Sequence, residues 1–232
     1  MISVVMAAYN GGEYIRAQLE SVLKQLGADD EVIISDDNPS GNTAEAINDI
    51  LDTDNRVKYI NGPGMGVIKN FENAIKNAAG EYIFLCDQDD IWLDGKVDAV
   101  MKEFEKGAVV VMHDARIVDS NLKVTENSFF ESHGTATGII RNIIRNSYIG
   151  CCMAFSSKLN PFILPFPDDI PMHDQWIGLI GEKAGKVSLI QVPYLLYRRH
   201  SATVTGGSTS FSQKLKWRTA IIRCLAGKQV EL

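Results

Sequence analysis

The stretch YIFLCDQDD, residues 82–90, places three carboxylates directly after a run of five mostly apolar residues. Such a run is typical of a buried strand, and an open α/β sheet binds its ligands at the carboxyl ends of its strands. Asp87 and Asp89 would share one face of an extended strand, where a hard divalent cation relieves their mutual repulsion. By itself the stretch equally allows a helix N-terminus that is capped by Asp89 or Asp90.

Strand-like and helix-like segments alternate along the first half of the chain. Short apolar runs rich in β-branched residues predict strands, and these runs cover 2–7, 31–35, 57–60, 82–86 and 108–112. Apolar residues that recur with the helical period predict helices between them, over 14–26, 43–51, 67–79 and 97–106. The alternation predicts an α/β fold with a doubly wound, mostly parallel sheet.

The second half of the chain is less regular. Its patterns predict helices over 139–149 and 174–184 and strands over 151–156 and 187–197. Three prolines within 161–167 predict an irregular loop there, because proline cannot donate to a strand ladder.

Length and composition fit one globular domain. The 232 residues include 45% hydrophobic and 22% charged side chains, which is enough to build a full core. The four cysteines form no C-x-x-C pair, and no apolar run approaches the length of a transmembrane span. Met1 leads straight into a strand-like run without the regions of a signal peptide. We therefore expect a protein of the reducing cytoplasm.

Charge is distributed unevenly. The net charge is −6, yet nine lysines and arginines and no acid lie between Glu182 and Glu231. This basic end could face substrate phosphates, an anionic membrane or solvent. The acidic remainder, which lacks interleaved aromatic and basic residues, argues against nucleic acid as a partner.

Polar residues also follow the first two predicted strands. Residues 9–12 are YNGG, which is not the G-x-G-x-x-G fingerprint of dinucleotide binding. Tyr9 either stacks on a base or packs beneath the turn. Asp37 either accepts the imide N–H of uracil or thymine and a ribose hydroxyl, or stabilises a turn. Because these strands are expected to be parallel, the polar segments after them should converge at one edge of the sheet.

Five motifs occur in order along the chain. They are SVVMAAYN at 3–10, SDDN at 35–38, GEYI at 80–83, the D-x-D triplet at 87–89 and HDQW at 173–176. This ordered set, which spans about residues 2–207 and thus nearly the whole chain, resembles that of the family 2 glycosyltransferases, which have the GT-A fold. The D-Q-D-D-x-W form, the H-D-x-W form and YRRH at 197–200 resemble the motifs of bacterial rhamnosyltransferase-like enzymes of surface polysaccharide synthesis.

The resemblance implies roles for individual residues. Asp174 would be the general base that deprotonates the acceptor hydroxyl, although its position alone favours an N-cap of the following helix. Asp87, Asp89 and His200 would hold Mg²⁺ or Mn²⁺ on the donor diphosphate. The contacts implied for the donor nucleotide are Ala7, Tyr9, Asp37, Lys69, Asp87 and Arg199, with Arg198 as an alternative to Arg199.

The same resemblance implies an inverting, metal-dependent transfer from a UDP- or dTDP-sugar to a hydroxyl of a saccharide or lipid-linked saccharide. The GT-A domain would cover 1–207, with a nucleotide-binding half over 1–112 and a smaller, irregular acceptor half over 113–207. The basic amphipathic segment 208–232 would then either contact the inner face of the plasma membrane or pack on the domain.

Two other functions remain open from the sequence. A sugar nucleotidyltransferase shares the sheet type and the metal requirement, but it normally opens with a G-G-x-G-T-R loop that this chain lacks. A non-catalytic scaffold that binds nucleotide or saccharide is disfavoured because Asp87, Asp89 and Asp174 are all present.

Overall fold

The protein folds around a nine-stranded mixed sheet. The computed structural model describes residues 1–199 and 210–232. The strands are β1 Ile2–Ala8, β2 Glu31–Asp36, β3 Val57–Asn61, β4 Tyr82–Asp87, β5 Ile91–Trp92, β6 Ala108–Val118, β7 Val124–Glu126, β8 Met153–Ser156 and β9 Lys186–Arg198. Their order is β3-β2-β1-β4-β8-β6-β9-β5, and β7 pairs with β6.

Helices cover the sheet, and several of them bury a single face, whereas the helix that begins at His173 is buried on all sides as far as Gly181. In the fourth helix, for example, Phe71, Ala74 and Ile75 are buried at the spacing of an amphipathic helix. None of the described helices is long and apolar enough to span a bilayer. The helices are α1 Ile15–Leu23, α2 Thr43–Ala46, α3 Asn48–Thr53, α4 Val67–Lys76, α5 Lys96–Glu105, α6 Phe129–His133, α7 Ile139–Ile144, α8 Asn160–Ile163, α9 His173–Ala184 and α10 Phe211–Ala226.

The first half forms the predicted parallel sheet. Strand β1 lies between β2 and β4 and is parallel to both, and β3 extends the sheet beyond β2. Most residues of β1, β2 and β4 are buried, as expected for parallel strands with both faces covered. The prediction of a doubly wound, mostly parallel α/β sheet is confirmed.

The second half continues the same sheet with mixed strand directions. Strand β8 runs antiparallel to both β4 and β6, whereas β6 and β9 are parallel. Strand β6 spans residues 108–118 and therefore crosses position 112, where the sequence predicts a boundary between two halves. That boundary stays a prediction.

Four predicted segments differ from the structure. The helix predicted over 43–51 is divided at the fully buried Ile47, between α2 and α3. The helix predicted over 139–149 ends at Ile144, and the chain then passes extended into the core. The strand predicted over 151–156 begins at Met153, after a 3₁₀ turn at Gly150–Cys152.

The loop predicted over 161–167 begins instead inside the short helix α8. Pro161 lies in the first turn of that helix, where the missing proline N–H removes no intrahelical hydrogen bond.

Candidate active site

The ends of the parallel strands meet at one edge of the sheet. Strand pairing places Ala7 beside Asp87 on β4, and Ala8 beside Asp36 on β2. The Asp37 backbone N–H then donates to the Ala8 carbonyl at 2.9 Å. Residues 9–12, 36–38 and 87–90 therefore follow neighbouring strands, which is the convergence that the sequence predicts.

Gln88 ties two of these strand ends together. Its Oε1 accepts the Tyr9 backbone N–H at 2.9 Å, and its Nε2 donates to the Tyr9 carbonyl at 3.0 Å. The Tyr9 side chain is 60% exposed, so it does not pack beneath the turn. The ring is available for stacking on a ligand beside a backbone that Gln88 fixes in place.

Asp37 organises the loop after β3. Its two carboxylate oxygens accept the backbone N–H groups of Gly64 at 3.0 Å and Gly66 at 2.7 Å. Both glycines have positive φ angles, 68° and 88°, which disfavour residues with a Cβ. Asp37 therefore stabilises this turn, and each of its carboxylate oxygens keeps a further lone pair that can accept a hydrogen bond from a ligand.

A cluster of acids lies at the end of β4, where Asp90 is buried and Asp87 is half-buried. Oxygen atoms of Asp87 and Asp90 and the Cys151 sulfur lie within 4.8 Å of one another. Burial raises the pKa of Asp87 to about 7, and repulsion from Asp89 and from Asp174 adds to this rise. Burial likewise raises the pKa of Asp90, with repulsion from Asp89 and Asp87. The acids are therefore held close together at an electrostatic cost.

This donor set fits a hard divalent cation. The Asp90 Oδ2 atom is buried and has no hydrogen-bond partner among the described residues. Carboxylate oxygens are the ligands that Mg²⁺ and Mn²⁺ prefer, and a cation would offset the repulsion within the cluster. The Cys151 thiol is a softer donor, and burial raises its pKa, so the carboxylates are the better ligands for either ion.

Lys96 supplies a buried positive charge behind the cluster. Its Nζ donates to the Cys151 carbonyl at 2.9 Å and lies 3.9 Å from the centre of the Trp92 ring. Burial lowers the pKa of Lys96, and its charge lowers the pKa of Asp87. We did not predict this residue as part of the site. The sequence could have indicated that Lys96 is buried, because Lys96 has the helical spacing of Val100 and Phe104 on the buried face of α5.

Asp174 lies in the first turn of α9 and is only 7% exposed. Its Oδ2 accepts the Gly150 backbone N–H at 3.1 Å, and its Oδ1 accepts the Gln175 backbone N–H at 2.6 Å. Burial raises the pKa of Asp174 to about 6, against the lowering effect of these hydrogen bonds. The helix begins with His173, so Asp174 is one residue inside it rather than at its N-cap.

The 3₁₀ turn at Gly150–Cys152 joins Asp174 to the acidic cluster. Gly150 bonds to Asp174, and Cys151, the next residue, lies beside Asp87. A Cβ on residue 150 would stand 2.9 Å from His173 Nε2, so only glycine fits this turn. The backbone arrangement therefore holds the candidate base next to the candidate metal ligands.

His173 packs beside the candidate base. Its ring stacks on Phe71 with the ring centroids 4.1 Å apart, and burial lowers its pKa to about 3. The neutral ring is therefore suited to packing. Trp92 and Trp176 are also buried, and the Trp176 indole N–H donates to the Ile163 carbonyl at 3.0 Å. Both tryptophans are part of the core rather than of a sugar-binding surface.

The basic residues after β9 have different environments. Arg198 is buried, and its Nε donates to the Asp89 carbonyl and its Nη1 to the Ser120 carbonyl, both at 2.7 Å. Arg198 thus fixes the turn that carries Asp89. Because the Arg198 side chain is occupied by these carbonyls, Arg199 is the stronger candidate for contact with a diphosphate. The Arg199 side chain is exposed. His200 lies outside the described residues.

Lys69 already has three acceptors. Its Nζ lies 3.0 Å from Glu72, 2.9 Å from Asp168 and 3.3 Å from the Phe166 carbonyl. The hydrogen bond with Asp168 raises the pKa of Lys69. Contact with a nucleotide would have to replace one of these partners, so the predicted role of Lys69 stays a prediction.

Comparisons with known proteins show the family of this chain. The model of the family "Glycosyl transferase family 2" matches residues 3–161. The chain is 26% identical over 223 residues to the Escherichia coli protein WfgD, and the aligned part covers 94% of this chain and 84% of WfgD. WfgD is named UDP-Glc:alpha-D-GlcNAc-diphosphoundecaprenol beta-1,3-glucosyltransferase. The chain is also 26% identical over 250 residues to the glycosyltransferase GlyG of Streptococcus pneumoniae, with 98% of this chain and 79% of GlyG covered.

A solved structure has the same fold. Residues 1–349 of S. aureus TarS in complex with UDP-GlcNAc superpose with a TM-score of 0.76 at 19% identity, over 99% of this chain and 68% of TarS. The expected GT-A fold is thereby confirmed. The family model covers more than half of the chain, so this protein is a glycosyltransferase and belongs to glycosyl transferase family 2.

Proposed function

We propose that the protein is an inverting, metal-dependent glycosyltransferase that uses a UDP- or dTDP-sugar. One observation carries this proposal: Asp174, whose pKa is raised to about 6, is joined through the turn at Gly150 and Cys151 to the acids that follow β4. An inverting transfer needs one base and one site that neutralises a leaving diphosphate. Asp174 would be this base, and the acids after β4 would form this site.

The donor nucleotide would lie across the ends of β1, β2 and β4. Exposed Tyr9 would stack on the base, the free lone pairs of Asp37 would accept its imide N–H, and the Ala7 backbone would lie beside them. Asp87 and Asp89 would hold Mg²⁺ or Mn²⁺, with His200 as the third predicted ligand, and Asp90 beside Asp87 would supply a further carboxylate to the same ion. The bound ion would act as a Lewis acid on the departing diphosphate. Arg199 would add positive charge there.

Asp174 would take the proton from the acceptor hydroxyl as that hydroxyl attacks the anomeric carbon. A carboxylate with a pKa near 6 is mostly ionised at neutral pH and is a stronger base than an exposed aspartate. Two backbone N–H groups fix its orientation while leaving lone pairs for the hydroxyl. The attack comes from the face opposite the diphosphate, so the configuration at the anomeric carbon inverts.

The acceptor would be a saccharide on a lipid carrier, in the synthesis of a cell-surface polysaccharide. This proposal is supported by WfgD, and by the related E. coli protein WfaP, whose names specify GlcNAc-diphosphoundecaprenol as the acceptor. In the predicted division of the chain, residues 1–112 would bind the donor and 113–207 the acceptor.

The C-terminal segment would bring the enzyme to the inner face of the plasma membrane. Helix α10 packs on the domain through buried Ile221 and Leu225, but its outer face exposes Leu215 and Ile222. The neighbouring helix α7 exposes Ile140 and Ile144, and Arg218 of α10 donates to the Ile144 carbonyl. We call the four exposed residues of these helices, Ile140, Ile144, Leu215 and Ile222, the outer apolar face.

Basic side chains surround this outer apolar face. They include Arg141, Arg145, Lys214, Lys216 and Arg223, all of which are exposed. An apolar strip flanked by lysine and arginine is the arrangement that binds anionic bilayers at their surface.

The donor proposal is tested by thermal-shift measurements with UDP, dTDP, GDP and ADP, each with and without Mn²⁺. We expect UDP or dTDP to stabilise the wild-type chain only with Mn²⁺, and Asp89→Ala to abolish this effect because it removes a metal ligand. Asp98→Ala is the matched control, since Asp98 is exposed on α5. Stabilisation by a nucleotide that depends neither on Mn²⁺ nor on Asp89 would contradict the proposal and favour a binding scaffold.

A further inference from the structure

We propose that a groove between residues 168–170 and α10 binds a sugar ring of the acceptor. This inference rests on the proposed function, because it names the part of the chain that holds the acceptor saccharide. The groove has a volume of about 540 Å³, within the range of about 300–1,000 Å³ that ligand pockets occupy. Its walls include Asp168, Asp169, Gln213, Lys216, Trp217 and Arg223.

The side chains of the groove suit a sugar in particular. Trp217 is partly exposed, so one part of its indole ring can cover the C–H face of a pyranose. Asp168, Asp169 and Gln213 supply oxygens that accept hydrogen bonds from hydroxyl groups. One aromatic surface beside several acceptors matches a ligand that has an apolar face and a polar rim.

The charges of the groove argue against a phosphate as its ligand. The two carboxylates balance the two cations, Lys216 and Arg223. Arg223 forms an ion pair with Asp169, and Asp168 forms one with Lys69 at 2.9 Å. A diphosphate would meet as many negative as positive groups, whereas a neutral, polyhydroxylated ring can use both carboxylates and cations as hydrogen-bonding partners.

The groove is connected to the candidate base by two short paths. Along the chain, Asp168 precedes Asp174 by six residues. Through space, Asp168 bonds to Lys69 on α4, and Phe71 on the same helix stacks on His173, the neighbour of Asp174. Helix α4 thus contacts both the wall of the groove and the first turn of α9. A sugar in the groove would lie on the acceptor side of Asp174.

The test uses saturation-transfer NMR on the full chain in the presence of UDP and Mn²⁺. The probes are the methyl glycosides of glucose, N-acetylglucosamine, galactose and rhamnose at millimolar concentration. We expect at least one glycoside to bind the wild-type protein, and Trp217→Ala to weaken its binding about tenfold. Asp168→Asn should weaken it by about threefold to tenfold, because a charge-assisted acceptor is lost.

Two variants keep the test decisive. Trp217→Ala removes a partly buried ring, so circular dichroism is used to check that this variant is folded. Asp168→Asn should not disturb folding, because 89% of the Asp168 side-chain surface is accessible. Ser212→Ala is the matched control on α10, because Ser212 is exposed and is not among the residues that line the groove. It should leave glycoside binding unchanged.

The outcomes separate this inference from the proposed function. No glycoside signal, or a signal that both groove variants retain, would overturn the groove as a sugar site. If UDP or dTDP still stabilises the same samples with Mn²⁺, the donor proposal stands and only the groove fails. Failure of every nucleotide would count against the proposed function itself.

Discussion

The proposed donor edge and the proposed acceptor side are built in different ways. At the donor edge, adjacent parallel strands place Tyr9, Asp37 and Asp87 side by side through their backbone register. On the acceptor side, Asp174 lies in the first turn of α9, and one of its two hydrogen bonds comes from a turn 24 residues earlier in the chain. The sheet thus positions the proposed donor residues, whereas packing between distant segments positions the proposed base. Disruption of one region should therefore leave much of the other intact.

The largest expected effect comes from the base. Asp174→Asn should lower kcat by about 10²- to 10⁴-fold, because the amide cannot take the proton of the acceptor hydroxyl. Binding of UDP or dTDP with Mn²⁺ should be retained, since the strand ends are unchanged. The measurement is steady-state transfer together with nucleotide thermal shift. Loss of nucleotide binding in this variant would contradict the separation of the two regions, and exposed Asp98→Asn serves as the control.

The same variant should change how stability depends on pH. Burial raises the folded pKa of Asp174 from 3.8 to about 6, so the folded state binds more protons than the unfolded chain between these values. This contribution to stability is fully present below about pH 4 and is lost as pH rises through about 6. Relative to wild type, Asp174→Asn should gain about 2–3 kcal/mol in unfolding free energy between pH 4 and pH 8.

Urea unfolding of both proteins across this pH range measures the difference. A difference that does not vary with pH would show that Asp174 is not held at a raised pKa. Asp98→Asn at an exposed position again provides the comparison.

On the donor edge, Asp37→Asn should weaken UDP and dTDP binding about tenfold. The amide keeps one acceptor oxygen, but its N–H₂ group faces the backbone N–H groups of the loop that Asp37 now holds. Calorimetry with Mn²⁺ present is the direct measurement. Asp29→Asn, an equivalent change at an exposed position before β2, should leave binding unchanged. Equal affinity for Asp37→Asn and wild type would remove Asp37 from the donor site.

The smallest effect concerns the outer apolar face. Leu215→Glu and Ile222→Glu should each lower partitioning onto anionic vesicles about five- to tenfold, because an apolar side chain no longer enters the interface. Co-sedimentation with vesicles that contain phosphatidylglycerol measures this partitioning. Val192→Glu, an exposed apolar position on β9, is the matched control. Unchanged partitioning of both α10 variants would leave packing on the domain as the function of this helix.

Much of the donor side was readable from sequence because its residues follow strands that are themselves recognisable. The residues after β1, β2 and β4 converge as predicted, since parallel strands share one carboxyl edge. Asp90, Lys96 and Cys151 were not predicted as a group. Cys151 reaches the cluster only because the segment predicted as a strand over 151–156 begins with a 3₁₀ turn, and a two-residue period carries no information about such a turn.

Arg198 and Trp217 are two further residues whose environment could not be predicted from a local sequence pattern. Sequence alone could not choose between Arg198 and Arg199, because both follow β9 directly. The structure buries Arg198 against the Asp89 and Ser120 carbonyls and exposes Arg199. Trp217 carried no signal at all, since its position beside Asp168 depends on how α10 docks on the domain.

The alternation of strands and helices and the polar residues that end each parallel strand can be predicted from the amino-acid sequence alone. These features follow from local periodicity and from the fixed direction of parallel strands. Only the packed fold brings the acids close together with Asp174 beside them and forms the groove next to α10. Burial and the distances between charges depend on contacts among segments far apart in the chain, which no local pattern specifies.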